Sequence, residues 1–369
     1  MKIVHMITGL GNGGAENMLY KVLSRLDQNK YKIEVISMTS KGEIGPKIED
    51  LGIKVHTLEM RRGIPTLSAI KKAVKILNGV DVLQTWMYHA DLLGYICGKK
   101  AGVKKIIWGI RHNNLDKKKN KKLLIMVAKI NKFLSKNVDC IVSCSKDATK
   151  VHIEFGYDKE KFVTIPNGFD IENYHRYEGA KVDILKELSL NDRDYKIVSH
   201  VARWDILKDY PTLIKCIANV ISAKEDTIFL LCGKNIDNEN KELIELMKEN
   251  HISNRVYLLG SRQDIPKIMS ASDVFVLSSI GEGFPNVIGE AMACETPCVV
   301  TNAGDSGYIV GNLGKVVKVG DFKSLSDSII YFLDLPEDQL KIIGKKCRDR
   351  VINEFELNKI VKRYELLYE

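Results

Sequence analysis

Short runs of β-branched residues alternate with amphipathic stretches along most of the chain, and that alternation leaves few folds open. KIVHMIT (2–8), IEVISM (33–38), KVHTL (54–58), DVLQT (81–85), KIIWGI (105–110) and DCIVSC (139–144) are apolar on consecutive rather than alternate residues. Strands of that kind are covered on both faces, and the intervening stretches 13–26, 44–51, 66–77, 89–101 and 118–134 read as the covering helices. The pattern predicts a parallel sheet with helical crossovers. It breaks at FVTIPNGFDIENYHRYEG (162–179), rich in turn residues and aromatics, and at polar 181–194. It restarts with KIVSHV (196–201), TIFLLCG (227–233), RVYLLG (255–260), DVFVLS (273–278) and PCVVT (297–301), interleaved with helices at 209–222, 239–249, 265–270, 286–294 and 323–333. Two Rossmann-like domains joined near 166–180 are expected, 1–170 and 171–349, with a charged helical tail from Pro336 onwards.

No apolar run approaches the roughly 20 residues that span a bilayer. The opening MKIVHMITGL reads as a buried strand rather than a leader. Eight cysteines are scattered without a CxxC spacing, which suggests reduced core thiols in a cytoplasmic protein and neither a disulfide framework nor a zinc site. The formal charge of +9 is unevenly spread: residues 1–170 carry 30 Lys and Arg against 16 Asp and Glu, and residues 171–369 carry 26 against 31. The basic half is expected to meet an anionic partner, either a membrane surface, a phosphorylated substrate or nucleic acid.

Three stretches carry candidate chemistry. GLGNGGAE (9–16) follows the first strand and opens a helix, where glycines let the backbone approach a ligand and free N–H groups face a phosphate. Gly9, Gly11 and Gly14 with Glu34 fit a dinucleotide spacing, and a plain flexible turn fits as well. In VARWDILKDY (201–210), Arg203 and Lys208 follow a strand, where a guanidinium and an ammonium suit a diphosphate; local Arg–Asp pairing is the alternative. In SIGEGFPNVIGEAMA (279–293), Glu282 lies in the loop before a helix that Asn286 is expected to cap, and Glu290 lies about one turn inside it. Both carboxylates suit sugar hydroxyls, and both also suit a helix dipole or a solvated face.

GGAE (13–16), NGFD (167–170), Arg203 with Lys208, and EGFPNVIGEAMA (282–293) occur in this order over almost the whole chain, which thereby resembles the family-4 (group 1) retaining glycosyltransferases. The resemblance implies an α/β fold of the GT-B architecture, two Rossmann-like domains with parallel sheets facing across a cleft, a C-terminal helix at about 350–369 returning to the first. It implies a nucleotide-sugar donor, UDP favoured, whose diphosphate meets Arg203 and Lys208 and whose ribose meets Glu290. Glu282, Gly283, Phe284, Asn286 and Val287 would hold the sugar, Gly13 and Gly14 the acceptor or a phosphate. His112, in IRHNN, matches a position beside the transferred sugar, and is counted with Glu282, Arg203 and Lys208 as catalytic. The chain departs from the family at Glu295, where glycine is usual, and at Ser306-Gly307. No cofactor and no metal are expected; the Asp-x-Asp at 192–194 precedes a strand rather than ending one. An epimerase or hydrolase on the same fold, or a non-catalytic nucleotide binder, is the alternative.

Residues 99–136 hold 13 Lys and Arg and one acid, Asp116. With Leu124, Val127, Phe133 and Leu134 as an apolar stripe, this belt reads as an interfacial helix on anionic lipid, or else as a solvated helix packed on its own sheet. Peripheral residence at the inner face of the plasma membrane follows from the first reading, and a lipid-linked or glycan acceptor in surface polysaccharide or glycan assembly is expected for the glycosyltransferase that the chain resembles. Nucleic acid is not expected, because aromatics for stacking are scarce around the belt.

Overall fold

The computed structural model describes residues 1–60, 65–116, 120–190 and 194–369. Two compact units emerge, Met1–Gly168 with Leu357–Glu369, and Phe169–Glu356. The first unit runs β1 (Lys2–Ile7), α1 (Gly14–Leu23), β2 (Lys32–Ser37), α2 (Ile44–Asp50), β3 (Lys54–Thr57), α3 (Leu67–Leu77), β4 (Val82–Trp86), α4 (Tyr88–Ala101), β5 (Lys105–Ile110), α5 (Lys122–Leu134), β6 (Cys140–Ser143), α6 (Lys146–Phe155) and β7 (Phe162–Thr164). Its sheet is parallel in the order β3-β2-β1-β4-β5-β6-β7. The consecutive apolar residues of β1 serve both faces. Ile3 and Ile7 join Leu19, Val22 and Ile48 with Ile360 and Tyr364 of the C-terminal helix, while Val4 and Met6 join Leu93, Cys97 and Trp108.

The second unit runs α7 (Ala180–Glu187), β8 (Lys196–Val201), α8 (Tyr210–Ala223), β9 (Thr227–Cys232), α9 (Lys241–Glu249), β10 (Val256–Leu258), α10 (Ile265–Ala271), β11 (Val274–Leu277), α11 (Asn286–Ala293), β12 (Cys298–Thr301), α12 (Ser306–Val310), β13 (Lys315–Val317), α13 (Phe322–Leu333) and α14 (Glu337–Phe355). The parallel order is β10-β9-β8-β11-β12-β13. Chain direction across the sheet reverses between β8 and β11, and at such a switch point the loops diverge and leave a crevice at the carboxyl ends.

Several elements differ from the sequence reading. β7 lies inside the stretch read as a break, and α6 before it was unassigned, although Ser145 caps it by accepting from the Ala148 N–H at 2.8 Å and Gly156 ends it in the left-handed region. α7 (Ala180–Glu187) covers the first part of the polar 181–194 stretch, and α12 and β13 were not foreseen. The tail is two helices, Glu337–Phe355 and Leu357–Tyr368, separated at Glu356 (φ −58°, ψ 135°). α5 starts at Lys122 rather than 118, and residues 117–119 lie outside the described ones. All eight cysteines are buried thiols. Among the described residues no helix is long and apolar enough to cross a membrane.

Candidate functional site

The two motifs of the second unit meet at its switch point. β8 ends at Val201, and its continuation is tied down by Tyr210, which donates to the Ala202 carbonyl at 2.7 Å. Asp205 then caps a single 3-10 turn, Ile206–Lys208, by accepting from the Leu207 N–H at 2.9 Å. Asp209 (φ 51°) begins α8 and accepts from the Thr212 N–H. The turn aims Lys208 across the sheet: its ammonium donates to Glu282 Oε1 at 2.5 Å, and the Ser279 hydroxyl donates to the same oxygen at 2.6 Å. Lys208 and Glu282 are 16% and 12% exposed, so the pair is mostly shielded from water. Backbone ties hold the loops together, with Ser278 Oγ donating to the Lys208 carbonyl at 2.7 Å and the Ile280 N–H to the Leu207 carbonyl at 2.9 Å.

Arg203 takes the local pairing that the sequence left open, its Nε donating to Asp205 Oδ2 at 3.1 Å. Its side chain is still 64% exposed, so the guanidinium is available to a ligand. On the other side of Glu282, the Asp305 N–H donates to the Gly283 carbonyl at 3.0 Å. Gly304 (φ 55°) makes this approach possible, since a Cβ there would lie 2.2 Å from the Glu282 carbonyl oxygen.

The expected Asn286 cap is corrected. Pro285 (φ −73°, ψ 101°) holds the N-cap position, carries no side-chain acceptor, and makes Asn286 the first helical residue. The initial N–H groups of α11 are therefore presented without a side-chain cap at Pro285. Glu290 sits one turn in and hydrogen-bonds the Tyr174 phenol; burial first, then this carboxylate, raises the Tyr174 pKa. The start of α11 is set by an aromatic cluster: Phe169 stacks on Phe284 with ring centroids 6.1 Å apart, and Phe355 meets both edge-on. Phe169 is completely buried and lies over Gly289, where a Cβ would come within 2.1 Å of the ring. Glu295, which follows α11, adopts φ 63°, the left-handed conformation that glycine would take without strain.

The remaining candidates belong to the first unit. Gly13 is the N-cap of α1 (φ −120°, ψ 175°), and Glu16 lies so close that a Cβ on Gly13 would be 2.5 Å from its Oε2. Burial raises the Glu16 pKa. Glu34 sits in the middle of β2 rather than at its end and binds His56 at 2.7 Å and Lys2 at 3.3 Å, a geometry that does not suit a dinucleotide ribose.

His112 follows β5. Its Nε2 is 3.2 Å from Asn120 Oδ1, and its ring meets Tyr88 edge-on at 6.5 Å. Tyr88 is held in turn: His152 Nδ1 donates to the Ala148 carbonyl at 2.7 Å, so its Nε2 accepts the Tyr88 hydroxyl, also at 2.7 Å. Burial lowers the His152 pKa to about 4. Met87, just before Tyr88, is forced to φ 76°.

Beneath this cluster Asp91 is 1% exposed and accepts from Thr85 Oγ1 at 2.6 Å and the Gly109 N–H at 3.3 Å. Burial raises its pKa to about 8, the two hydrogen bonds and Arg111 pulling weakly the other way. Protonated Asp91 thus stabilises the fold fully below about pH 4, where the unfolded carboxyl is protonated too, and that contribution is lost as the pH rises through 8. Asp91→Asn carries no such dependence. Thermal melts from pH 5 to pH 8.5 should show the wild-type Tm falling relative to the variant; a constant difference would contradict the assignment.

The apolar stripe expected on α5 is also corrected. Val127 is buried and Leu124 half-buried against Tyr88 and Leu115, and Leu134 packs on the core; of the four only Phe133 stands out in solvent. A different line is exposed instead, Leu123, Met126, Ile130 and Phe133. Trp108 is fully buried and offers no stacking surface. Among the described residues no three His, Cys, Asp or Glu converge as metal ligands; Asp192 and Arg193 lie outside them.

Two family models match this chain, Glycosyltransferase Family 4 over residues 12–173 and Glycosyl transferases group 1 over 182–349. The chain is a group 1, family 4 glycosyltransferase. It is 24% identical to the UDP-Gal:alpha-D-GlcNAc-diphosphoundecaprenol alpha-1,3-galactosyltransferase of Escherichia coli, over 100% of this chain and 96% of the relative. It is 22% identical to a Campylobacter jejuni N,N'-diacetylbacillosaminyl-diphospho-undecaprenol alpha-1,3-N-acetylgalactosaminyltransferase, over 92% of this chain and 91% of the relative. Among solved structures, Anabaena HepE in complex with UDP superposes with a TM-score of 0.86 at 21% identity, covering 100% of this chain and 99% of that one. The fold of the glycosyltransferase is therefore GT-B.

Proposed function

We propose that this glycosyltransferase moves a hexosyl or N-acetylhexosaminyl residue from a UDP-sugar, with retention, to a lipid-linked acceptor in surface polysaccharide or glycan assembly. The observation that carries the reading is the Lys208–Glu282 pair at the β8/β11 switch point, with Arg203 exposed on the same loop as Lys208. Arg203 and Lys208 neutralise the diphosphate, and the amino end of α11 adds its dipole as the leaving charge develops. Glu282, with the Gly283, Phe284, Asn286 and Val287 backbone, holds the sugar, and Glu290 the ribose hydroxyls. These cations meet the diphosphate without a resident metal.

His112, positioned by Asn120 and Tyr88, is the first unit's candidate catalytic residue in this reading. With no carboxylate assigned to the far face of the sugar, transfer is front-face, and the departing phosphate takes the acceptor proton. The Gly13-Gly14 turn serves the acceptor: the Glu16 carboxylate beside it favours hydroxyls over phosphate. The lipid-linked acceptor is supported by the relatives from Escherichia coli and Campylobacter jejuni and the UDP donor by the Escherichia coli relative, and the lysines of 99–136 suit peripheral residence on the inner face of an anionic membrane.

Calorimetric titration with UDP tests the donor side. Arg203→Ala should weaken UDP binding by roughly ten- to a hundredfold, the worth of one charge-assisted hydrogen bond of about 1.5–3 kcal/mol. Wild-type affinity in the folded variant would contradict the assignment.

A further inference from the structure

Between α4 and α5 runs an apolar groove that none of the roles above uses. It is lined by His89, Leu92 and Ile96 from α4 and by Leu123, Met126 and Ile130 from α5, over a floor of buried Leu93 and Val127. Ile96 is 46% exposed and Met126 53%, so both banks leave apolar side chains in water. No acid lines it. Burial lowers the His89 pKa, which keeps that imidazole neutral at pH 7.

Lysines flank both banks of the groove. Residues three and four apart are neighbours on a helix surface. On α4, Ile96 is therefore flanked one turn on by Lys99 and Lys100. On α5, Met126 is flanked by Lys122 and Lys129, and Phe133 also by Lys129. All four lysines are exposed. From Leu123 to Phe133 the exposed line is roughly 15 Å long, at 1.5 Å per residue, comparable to a farnesyl chain.

We propose that this groove holds a single hydrocarbon chain carrying an anionic head, the chain lying between α4 and α5 and the head meeting the lysines of the rim. The occupant is the lipid tail of the acceptor, so the proposal rests on the lipid-linked reading and deepens it. A concave channel between two helices fits one chain, where a flat bilayer face would meet only its two banks.

Calorimetry on the full chain tests this, with farnesyl diphosphate below its micellar concentration as probe, inorganic diphosphate as control, and saturating UDP present to occupy the diphosphate site. Farnesyl diphosphate should bind at least about tenfold more tightly than inorganic diphosphate, the excess coming from apolar burial. Ile96→Glu combined with Met126→Glu should abolish the preference, and Lys122→Glu with Lys129→Glu should weaken both ligands. The altered positions are exposed, and circular dichroism with thermal melts checks folding. As a measurement independent of the double variant, Met126→Trp should shift its emission to the blue on adding farnesyl diphosphate. Equal affinity for the two diphosphates, in a protein that binds UDP, would overturn the groove and leave the transfer reading standing. Loss of phosphatidylcholine–phosphatidylglycerol vesicle binding in the Ile96/Met126 variant, without any farnesyl preference in the wild type, would identify a bilayer contact and overturn it as well.

Discussion

Lys208→Ala lowers kcat/KM for the donor by about a hundred- to a thousandfold, the cost of removing one preorganised donor from a developing charge. The substitution acts twice. In the proposed role it deletes a cation from the diphosphate, and it strips the mostly buried Glu282 of its Lys208 partner, leaving the Ser279 hydroxyl on Oε1. Breaking a fully buried pair from one side costs about 3–5 kcal/mol of stability, and this pair, slightly open to water, should cost less. Lys208→Ala should therefore lower the Tm as well as the turnover. Arg203→Ala should lower turnover alone, because its side chain is largely exposed and its partner Asp205 keeps the Leu207 N–H. Nucleoside diphosphate release followed in parallel with thermal melts separates the two. Equal Tm losses in both variants, or full turnover in either, would contradict the division.

Gly289→Ala is the second large effect, and it arises from packing rather than from charge. The new methyl would sit 2.1 Å from the buried ring of Phe169, which stacks on Phe284 ahead of α11. Overpacking of this kind costs about 1–3 kcal/mol and occasionally more, and the ring can yield only by displacing Phe284 or Phe355. Both stability and donor affinity should fall, since Phe284 leads into the first turn of α11. Denaturant titration with UDP binding on the same preparation measures both. Phe169→Ala combined with Gly289→Ala should recover part of the extra loss, because the colliding ring is gone. A destabilisation that is additive in the double variant would sink the account.

Much of this architecture was legible in the chain. β5 at 105–110 and β8 at 196–201 have the extents read from their continuous apolar runs, because both faces of a central parallel strand are buried. Among the elements that escaped, β7 and β13 have three residues and α12 five, too few for a period to register, while α6 and α7 are longer but bury only two and three residues each. α5 was read as a helix, and only its buried face was misassigned. Ile125, Val127 and Ala128 point inward and Leu123, Met126 and Ile130 outward, so a helix apolar on two sides gives a periodicity that does not say which side the core takes.

The candidate site divides in the same way. Arg203, Lys208, Glu282 and Glu290 stand out by residue type and by position after strands or at a helix start. Their mutual arrangement does not, because the Lys208–Glu282 bond joins residues 74 apart in the chain. Ser279 and Tyr174 carried no signal of their own; a serine three residues before Glu282 and a tyrosine in an aromatic stretch have many other uses. The Asn286 cap was misread because a proline directly ahead of it takes the capping position without offering an acceptor.

The central claim is acceptor-dependent glycosyl transfer from a nucleotide-sugar at the Lys208–Glu282 site. Its most direct measurement is release of the nucleoside diphosphate when the protein is incubated with UDP-, GDP- and ADP-sugars, with and without an undecaprenyl-diphosphate-linked sugar. Release should occur with a UDP-sugar, require the lipid-linked acceptor, persist in EDTA and disappear in Lys208→Ala. Release that is indifferent to the acceptor, or absent from the folded wild type with every donor, would contradict it.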